Sequence, residues 1–546
     1  MAKLSDIDLQ VMWNRLIAVV EEQAQVLLRT AFSAIVREAG DLSAGVFDRH
    51  GNMLAQAVTG TPGHVNSMAE SVRHFIRAFP VETMREGDIY ITNDPWMGTG
   101  HLNDFVLTTP AFHKGRLVAL FSCTSHLMDI GGIGFGPDAT DVFMEGLYIP
   151  LLKLADKGQL NETLMAMIRA NTRSPVDTEG DVYSLAACND VGCERLSDMM
   201  TEFGLDDLDV LSSHILDRSR AAVLEAVAAM PHGSWTNSMT VDGYDEPVTL
   251  TATVTVSKSG IHVDYAGTGP ASRRGINVPL AYTTAYTVFG LACIVGKDIP
   301  NNAGSLAPLT VSAPEDCIVN ALKPKPVASR HVIGQMLPDV VFGALRQAIP
   351  DRVPAEGTSC LWNLNVRGQT EDAGRGNYGF TMAVTANGGT GARPLKDGLS
   401  ATAYPSGVKG TPVEIAESIT PLIFWRKEFR PDSGGAGSLR GGLGQIIEVG
   451  SRIGKPFDLL AAYDRIDHPP RGRDGGQDGA AGAVALKSGK KLKGKGFQLI
   501  PPDDRLVVMT PGGGGIGNPK KRKREAVARD VAEGLVSKAG AKVYGG

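Results

Sequence analysis

Residues 101–126 read HLNDFVLTTPAFHKGRLVALFSCTSH. Two strand-like runs, Phe105–Phe112 and Leu117–Thr124, flank the turn His113-Lys114-Gly115-Arg116, so the segment predicts a β-hairpin. A turn centred near Lys114-Gly115 sets Asp104 opposite Ser125 or His126, and opposed side chains on one face stand about 4.5–5.5 Å apart at Cβ. His101 precedes Asp104 by three residues in a glycine-preceded loop and is free to fold toward the same point. Three candidate metal ligands therefore converge: His101, Asp104 and His126. If the strand that starts at Asp41 neighbours this hairpin, a second carboxylate completes a His₂Asp₂ set. Nitrogen and oxygen donors without a nearby thiolate pair suit a catalytic Zn²⁺, Fe²⁺ or Mn²⁺ rather than a structural zinc. Such an ion polarises a carbonyl or phosphoryl oxygen and lowers the pKa of bound water. The competing reading makes His101 a turn cap, His126 a satisfied strand-end histidine and both aspartates Asx-turn formers.

Outward from the hairpin, residues 7–36 carry the apolar stripe of a long amphipathic helix, with Ser5 or Asp6 to cap it and Gly40 to end it. Short strands 43–48 and 53–58 follow, then a helix over 66–79 and the strand Ile89–Thr92. Residues 137–230 read as largely helical, and alternating strands take over after Pro231-His232-Gly233. One helix is expected across Val332–Ile349 and another over 525–538. The last 116 residues hold 25 of the 65 glycines, which predicts loop-rich sheet with tight turns and close backbone approaches. The fold class is α+β, mixed and multi-domain, with divisions at 1–232, 233–430 and 431–546.

At 546 residues the chain is long enough for several folding units. Its 54 basic and 59 acidic side chains leave a net charge of −5, which points away from nucleic-acid and membrane-surface binding. Six scattered cysteines without a CxxC pair fit reduced thiols, and the N-terminal MAKLSDIDLQVMW lacks an apolar signal core, so a cytoplasmic location is expected. The uncharged span 275–296 contains Asn277, Pro279 and several threonines, and reads as a buried helix rather than a membrane crossing.

Among the other histidines, His64 is placed on a loop in a surface or turn role, His50 and His113 in exposed hairpin turns, and His331 at a helix start in a structural role. Asp94 and Asp129 are candidates to orient the imidazoles. The glycine clusters 131–136, 434–444 and 512–517 lack Walker A spacing. Among these clusters GxGxxG is met only at 512–517, where Asn518-Pro519 replaces the helix a dinucleotide site needs. The basic stretches 487–495 and 520–524 carry no interleaved aromatics and read as solvated surface, and no GxSxG elbow occurs.

Seven further motifs stand out: Arg37-Glu38-Ala39-Gly40-Asp41, Gly63-His64-Val65-Asn66-Ser67, Asn93-Asp94-Pro95, Thr99-Gly100-His101-Leu102-Asn103-Asp104, Ser125-His126-Leu127-Met128-Asp129, Ser433-Gly434-Gly435-Ala436-Gly437 and Pro511–Gly515. Together they resemble the hydantoinase B/oxoprolinase family over nearly the whole chain. The resemblance implies one divalent metal held by Asp41, His101, Asp104 and His126. It also implies a hetero-oligomer in which a hydantoinase A-type partner binds ATP and phosphorylates a small-molecule cyclic amide, while this chain completes the hydrolysis. Glu38, His64 and Asp129 are the candidates to shuttle protons. The alternative the resemblance allows is a subunit of an ATP-dependent acetone- or acetophenone-type carboxylase.

Overall fold

The computed structural model describes residues 4–58, 61–372 and 376–545; Met1, Ala2 and Lys3 of the N-terminal stretch read above lie outside them. Helix α1 (Asp6–Thr30) opens on a reciprocal cap: the Asp8 amide donates to Ser5 Oγ at 3.2 Å and the Ser5 amide to Asp8 Oδ2 at 2.9 Å. It stops six residues short of the expected end. The Phe32 and Ser33 amides are taken by Asp181 Oδ1 at 2.7 and 3.1 Å, which breaks the helical ladder, and a single turn, α2 (Ala34–Arg37), follows. Gly40, at φ +68°, then turns the chain into β1 (Leu42–Asp48).

Among the described residues the strands form four sheets. The first has the order β2-β1-β5-β4-β3-β6-β7, with β2 Met53–Gln56, β3 Ile89–Thr92, β4 Asp104–His113, β5 Arg116–His126, β6 Leu152–Asp156 and β7 Gln159–Leu160. Successive residues of its central strands enter different cores. Val46 and Phe121 pack with Leu16 and Val20 of α1, while Phe47 and Leu120 pack with Met68 and Phe75 of α3 (Pro62–Ala78). Both faces are covered, which is why the hairpin reads as continuous apolar runs. Helices α4 (Glu162–Asn171), α5 (Pro175–Glu202) and α6 (Asp209–Ala228) follow, so the region expected to be largely helical begins with the β6–β7 hairpin instead. α5 lies against the β4–β5 hairpin and buries His113, whose Nδ1 sits 3.0 Å from Ser197 Oγ; the exposed turn position expected for it is not what forms.

The second sheet, β11-β10-β9-β8, runs β8 Gly233–Val241, β9 Val248–Ser257, β10 Gly260–Asp264 and β11 Leu309–Ser312, with β10 and β11 parallel. Between them lies α7 (Leu280–Val295), and among the described residues no helix is long and apolar enough to cross a membrane. The single helix expected over Val332–Ile349 is two, His331–Gly334 and Leu337–Leu345, with Pro338 in the first turn of the second. The helix expected over 525–538 spans Arg524–Ala532.

The third sheet joins β12 (Leu364–Asp372) and β13 (Gly376–Val384) to Phe457–Ala462 and Lys495–Ile500. The fourth joins Leu422–Phe429 to Gln445–Ser451, Leu506–Met509 and Ala483–Leu486, so strands from both sides of residue 430 share each sheet. The glycine-rich segments next to these strands form a lattice held largely by backbone bonds. The amides of Gly512, Gly513, Gly514 and Gly515 donate in turn to the carbonyls of Ala480, Gly442, Glu356 and Gln477, which belong to three passes of the chain, around residues 356, 442 and 477–480. A β-strand bonds only to its two neighbours; here consecutive residues bond outward around the axis of the segment. Side chains have no room. A Cβ on Gly512 would lie 1.8 Å from the Ser433 oxygen, and one on Gly513 1.8 Å from the Thr390 oxygen.

Gly513→Ala is therefore expected to cost at least ~3 kcal/mol in chemical denaturation, because the obstructing atoms are backbone and cannot swing aside. Gly410→Ala, whose Cβ would meet nothing closer than 3.8 Å, is expected to change stability by no more than ~0.5 kcal/mol. Equal effects would refute the steric origin of the glycine requirement.

Candidate metal centre

The β4–β5 register sets the site. Next to the turn His113 pairs with Arg116 and Phe112 with Leu117, and continuing that register would put Asp104 opposite Ser125. A bulge between Ala111 and Phe112 leaves Val118 unpaired, and Asp104 pairs with His126 instead. One residue of slip exchanges the faces of a strand, so the bulge decides that an imidazole and not a hydroxyl joins the carboxylate. β1 runs antiparallel to β5 with Leu42 opposite Ser125, and the His126 amide donates to the Asp41 carbonyl at 3.1 Å.

Asp104 has no exposure and is the hub of the cluster. Its Oδ1 lies 2.6 Å from His101 Nε2 and 3.2 Å from His126 Nδ1. Its Oδ2 accepts from Thr99 Oγ1 at 2.7 Å and from Arg330 Nη2 at 2.5 Å, and lies 2.9 Å from His64 Nε2. Burial alone would raise its pKa, but His101, His64 and Arg330 together hold it well below the usual carboxylate range. Arg330 is stacked 4.0 Å over the Tyr282 ring and donates through Nε to the Thr99 carbonyl at 2.7 Å. Gly100, at φ +96°, lies so close that a Cβ would meet Arg330 Cδ at 2.7 Å, which explains the glycine ahead of His101.

The four expected ligand positions divide. His101, Asp104 and His126 offer donor atoms that all lie within 4.8 Å of one another. Asp41 reaches the group through His64: its Oδ1 is 3.5 Å from His64 Nδ1 and 3.3 Å from Thr61 Oγ1. His64 is the main departure from the expected picture. It sits in the first turn of α3, 3% exposed, and not on a surface loop, because Pro62 starts the helix four residues earlier than the apolar pattern suggests. Burial would lower its pKa, yet the charges of Asp104 and Asp41 outweigh that and raise it.

The other two proton-shuttle candidates stand apart from the imidazoles. Glu38 pairs with its neighbour Arg37 at 2.9 Å. Asp129 is committed to Arg173 Nη1 at 2.9 Å and to the Gly131 and Ser174 amides at 3.1 and 2.9 Å, where it secures the entry to α5. Asp94 accepts from the Tyr148 hydroxyl and the Trp96 amide and so does not orient an imidazole either. His331 is 4% exposed, and its ring centroid is 5.8 Å from Phe135, which also abuts His126 at 4.7 Å and His101 at 5.7 Å. The sequence reading missed Arg330, Thr99 and Phe135. Arg330-His331 could have been noticed as a polar pair heading an otherwise apolar run.

The donor chemistry fits a cation. His101 Nδ1 is 2.9 Å from the Ala328 carbonyl oxygen, which can only accept, so Nδ1 carries the ring proton. Burial first, and Arg330 second, push the His101 pKa down to about 3, so the ring is neutral. Its Nε2 lone pair therefore faces a carboxylate oxygen at 2.6 Å, acceptor against acceptor. A positive ion relieves that opposition, and His126 Nε2 and His64 Nδ1 are further buried nitrogens without a hydrogen-bond partner.

The Ala328 carbonyl is itself held in place by Glu145, whose Oε1 accepts from the Val327 and Ala328 amides at 2.6 and 2.8 Å. Glu145 Oε2 has no partner, and burial pushes the pKa of this carboxyl up to about 8. The folded protein thus keeps a proton that the unfolded chain has released, and stability falls as pH rises from about 4.5 to about 8, by up to ~1.4 kcal/mol per unit. Glu145→Gln retains the acceptor oxygen without the titration. Denaturation midpoints measured across that window should decline less steeply in the variant than in the wild type; parallel profiles would contradict the assignment.

The sequence profile of the hydantoinase B/oxoprolinase family matches residues 5–519. A Pseudomonas sp. (strain NS671) protein, named as the putative B-type component of a D-/L-hydantoinase, is 29% identical, covering 100% of this chain and 95% of that protein. The 5-oxoprolinase 1 of Arabidopsis thaliana is 28% identical over 94% of this chain, which spans only 42% of that longer protein. The crystal structure of an ATP-dependent caprolactamase from Pseudomonas jessenii has the same mixed helix-and-sheet fold, with a TM-score of 0.90 at 26% identity over 100% of this chain and 96% of that one.

Proposed function

The chain belongs to the hydantoinase B/oxoprolinase family, and from that premise we propose that it is the ring-opening subunit of an ATP-dependent cyclic-amide hydrolase. Its substrate is a lactam or cyclic imide. Its partner is a hydantoinase A-type subunit that binds ATP and phosphorylates the amide oxygen. Amide resonance makes the carbonyl carbon a poor electrophile and its oxygen a poor leaving group, and phosphorylation removes both obstacles. Water then adds at the activated carbon, the ring nitrogen departs once it is protonated and leaves an acyl phosphate, and a second water releases inorganic phosphate and the free carboxylate.

The observation that carries this reading is the opposition of His101 Nε2 and Asp104 Oδ1 at 2.6 Å, which calls for a cation. His101, Asp104 and His126 would hold it, with Asp41 close by through His64. A divalent Zn, Fe or Mn ion there supplies Lewis acidity toward an oxygen and lowers the pKa of bound water. Arg330 and Thr99 keep the Asp104 carboxylate ionised and aimed. The Ala328 carbonyl presents the His101 Nε2 lone pair inward. His64, whose affinity for a proton is raised between Asp104 and Asp41, is the group placed to hold a proton for the departing nitrogen.

The test is to purify the chain with its partner, measure bound metals, and follow ATP-dependent turnover of hydantoin, 5-oxoproline and caprolactam with and without bicarbonate. His101→Ala and His126→Ala are each expected to lose stoichiometric metal and to lower turnover by at least ~100-fold with folding intact. Full coupled activity in both folded variants would reduce the histidines to scaffold. Turnover that requires bicarbonate would replace hydrolysis with carboxylation.

A further inference from the structure

The β12–β13 hairpin turns one face toward the loop that follows β5. Asn365 stands opposite Ala383 and Arg367 opposite Thr381, so by the two-residue alternation these four share a face. Arg367 is committed, with Nε on Asp458 and Nη1 on the Ile133 carbonyl, each at 2.9 Å. Asn365 is not. It is 1% exposed, and neither its amide nitrogen nor its amide oxygen has a hydrogen-bonding partner. Buried carboxamides are almost always satisfied, so one left wholly unpaired asks for a ligand.

Its position says which ligand. Asn365 borders a crevice of about 10 Å³ with Phe135 and Met128, room for one water at most. Met128, Asp129 and Thr381 also line a neighbouring cavity of about 310 Å³, whose wall includes Leu127, the residue after His126. Phe135, on the wall of the crevice, also abuts the imidazoles of His101 and His126. The free carboxamide and the donor cluster thus have Phe135 as a common neighbour.

We infer that Asn365 recognises the amide edge of the cyclic substrate, with the unbranched Met128 moving to join crevice and cavity. A five- to seven-membered lactam is locked cis, so its N–H and C=O lie along one edge. A carboxamide offers an N–H donor and a carbonyl acceptor along its own edge and pairs with both at once. An open-chain secondary amide is trans, turns the two groups to opposite sides, and can satisfy only one. When the ring oxygen carries phosphate and the nitrogen has lost its proton, the carboxamide turns over so that its NH₂ donates to that nitrogen, which an acceptor-only carboxylate could not do. The identity of the ligand rests on the hydrolase reading above; the unpaired carboxamide does not.

Calorimetric titration of the full chain with 2-piperidone and with N-methyl-2-piperidone tests the inference. The wild type is expected to bind 2-piperidone, and N-methylation to weaken binding about tenfold or more. Asn365→Leu is expected to weaken it similarly, and the isosteric Asn365→Asp, checked for folding by circular dichroism, provides a second variant of unchanged shape. Failure of the wild type to bind, equal affinity for the two rings, or binding indifferent to both substitutions would overturn the inference and leave Asn365 satisfied by a water only. ATP-driven ring opening by the complex reads the other claim separately. Ring opening with affinity indifferent to Asn365 sustains the hydrolase and refutes the recognition role; Asn365-dependent binding without ring opening does the reverse.

Discussion

A carboxylate with no access to water must find its stabilisation inside the protein, and Asp104 finds it in five side chains from four parts of the chain. Thr99 and His101 come from the loop ahead of β4, His126 from the end of β5, His64 from the first turn of α3 and Arg330 from a segment more than 200 residues later. Removing a buried partner of such a charge leaves it uncompensated, which costs far more than any one contact contributes. The elements that carry those partners are therefore constrained together. Gly63 shows how tightly: a Cβ there would meet the Tyr286 ring at 2.5 Å, and Tyr282, one turn away on α7, carries the stacked Arg330.

That hub sits against two kinds of rigid backbone. On one side is a sheet sandwiched between helices, where the apolar content of β4 and β5 does the holding. On the other is the β12–β13 hairpin, whose second strand leads into the glycine lattice, held largely by amide-to-carbonyl bonds between closely packed passes of the chain. The lattice tolerates almost no movement, since displacement of one pass breaks bonds to several others. A binding face mounted next to it keeps its place, and that suits recognition by a single carboxamide, where an error of an ångström would forfeit a hydrogen bond.

What the sequence disclosed and what it withheld separate by distance along the chain. The hairpin, its turn and the approach of Asp104 to Ser125 or His126 were legible because a turn residue and two strand runs fix a register within some twenty residues. The bulge that chooses His126 was not, since nothing local marks Val118 as the extra residue. Likewise α1 carries its helical stripe beyond Thr30, and the break comes from Asp181, a residue of α5 whose carboxylate takes two amides that the helix would have used. The Ala328 carbonyl and the contact of Arg330 with Asp104 were out of reach for the same reason, although Arg330 itself stands out as a polar residue ahead of an apolar run.

His64 is the instructive exception, because its signal is local and reads two ways. Thr61-Pro62-Gly63 looks like loop punctuation, but a proline lacks only the amide that the first helical turn leaves unbonded, and its fixed φ is already helical. Proline after a threonine and before an apolar-periodic run thus marks a helix beginning, and α3 begins there. Gly63, which also argues for a loop, is required by the tyrosines of α7 pressed against it. Both residues read as irregular chain in one dimension because their reasons lie in packing. Once Pro62 is taken as the first helical residue, His64 falls in the first turn, where the backbone is fixed before the side chain is placed, and an imidazole can be held within 2.9 Å of a buried carboxylate.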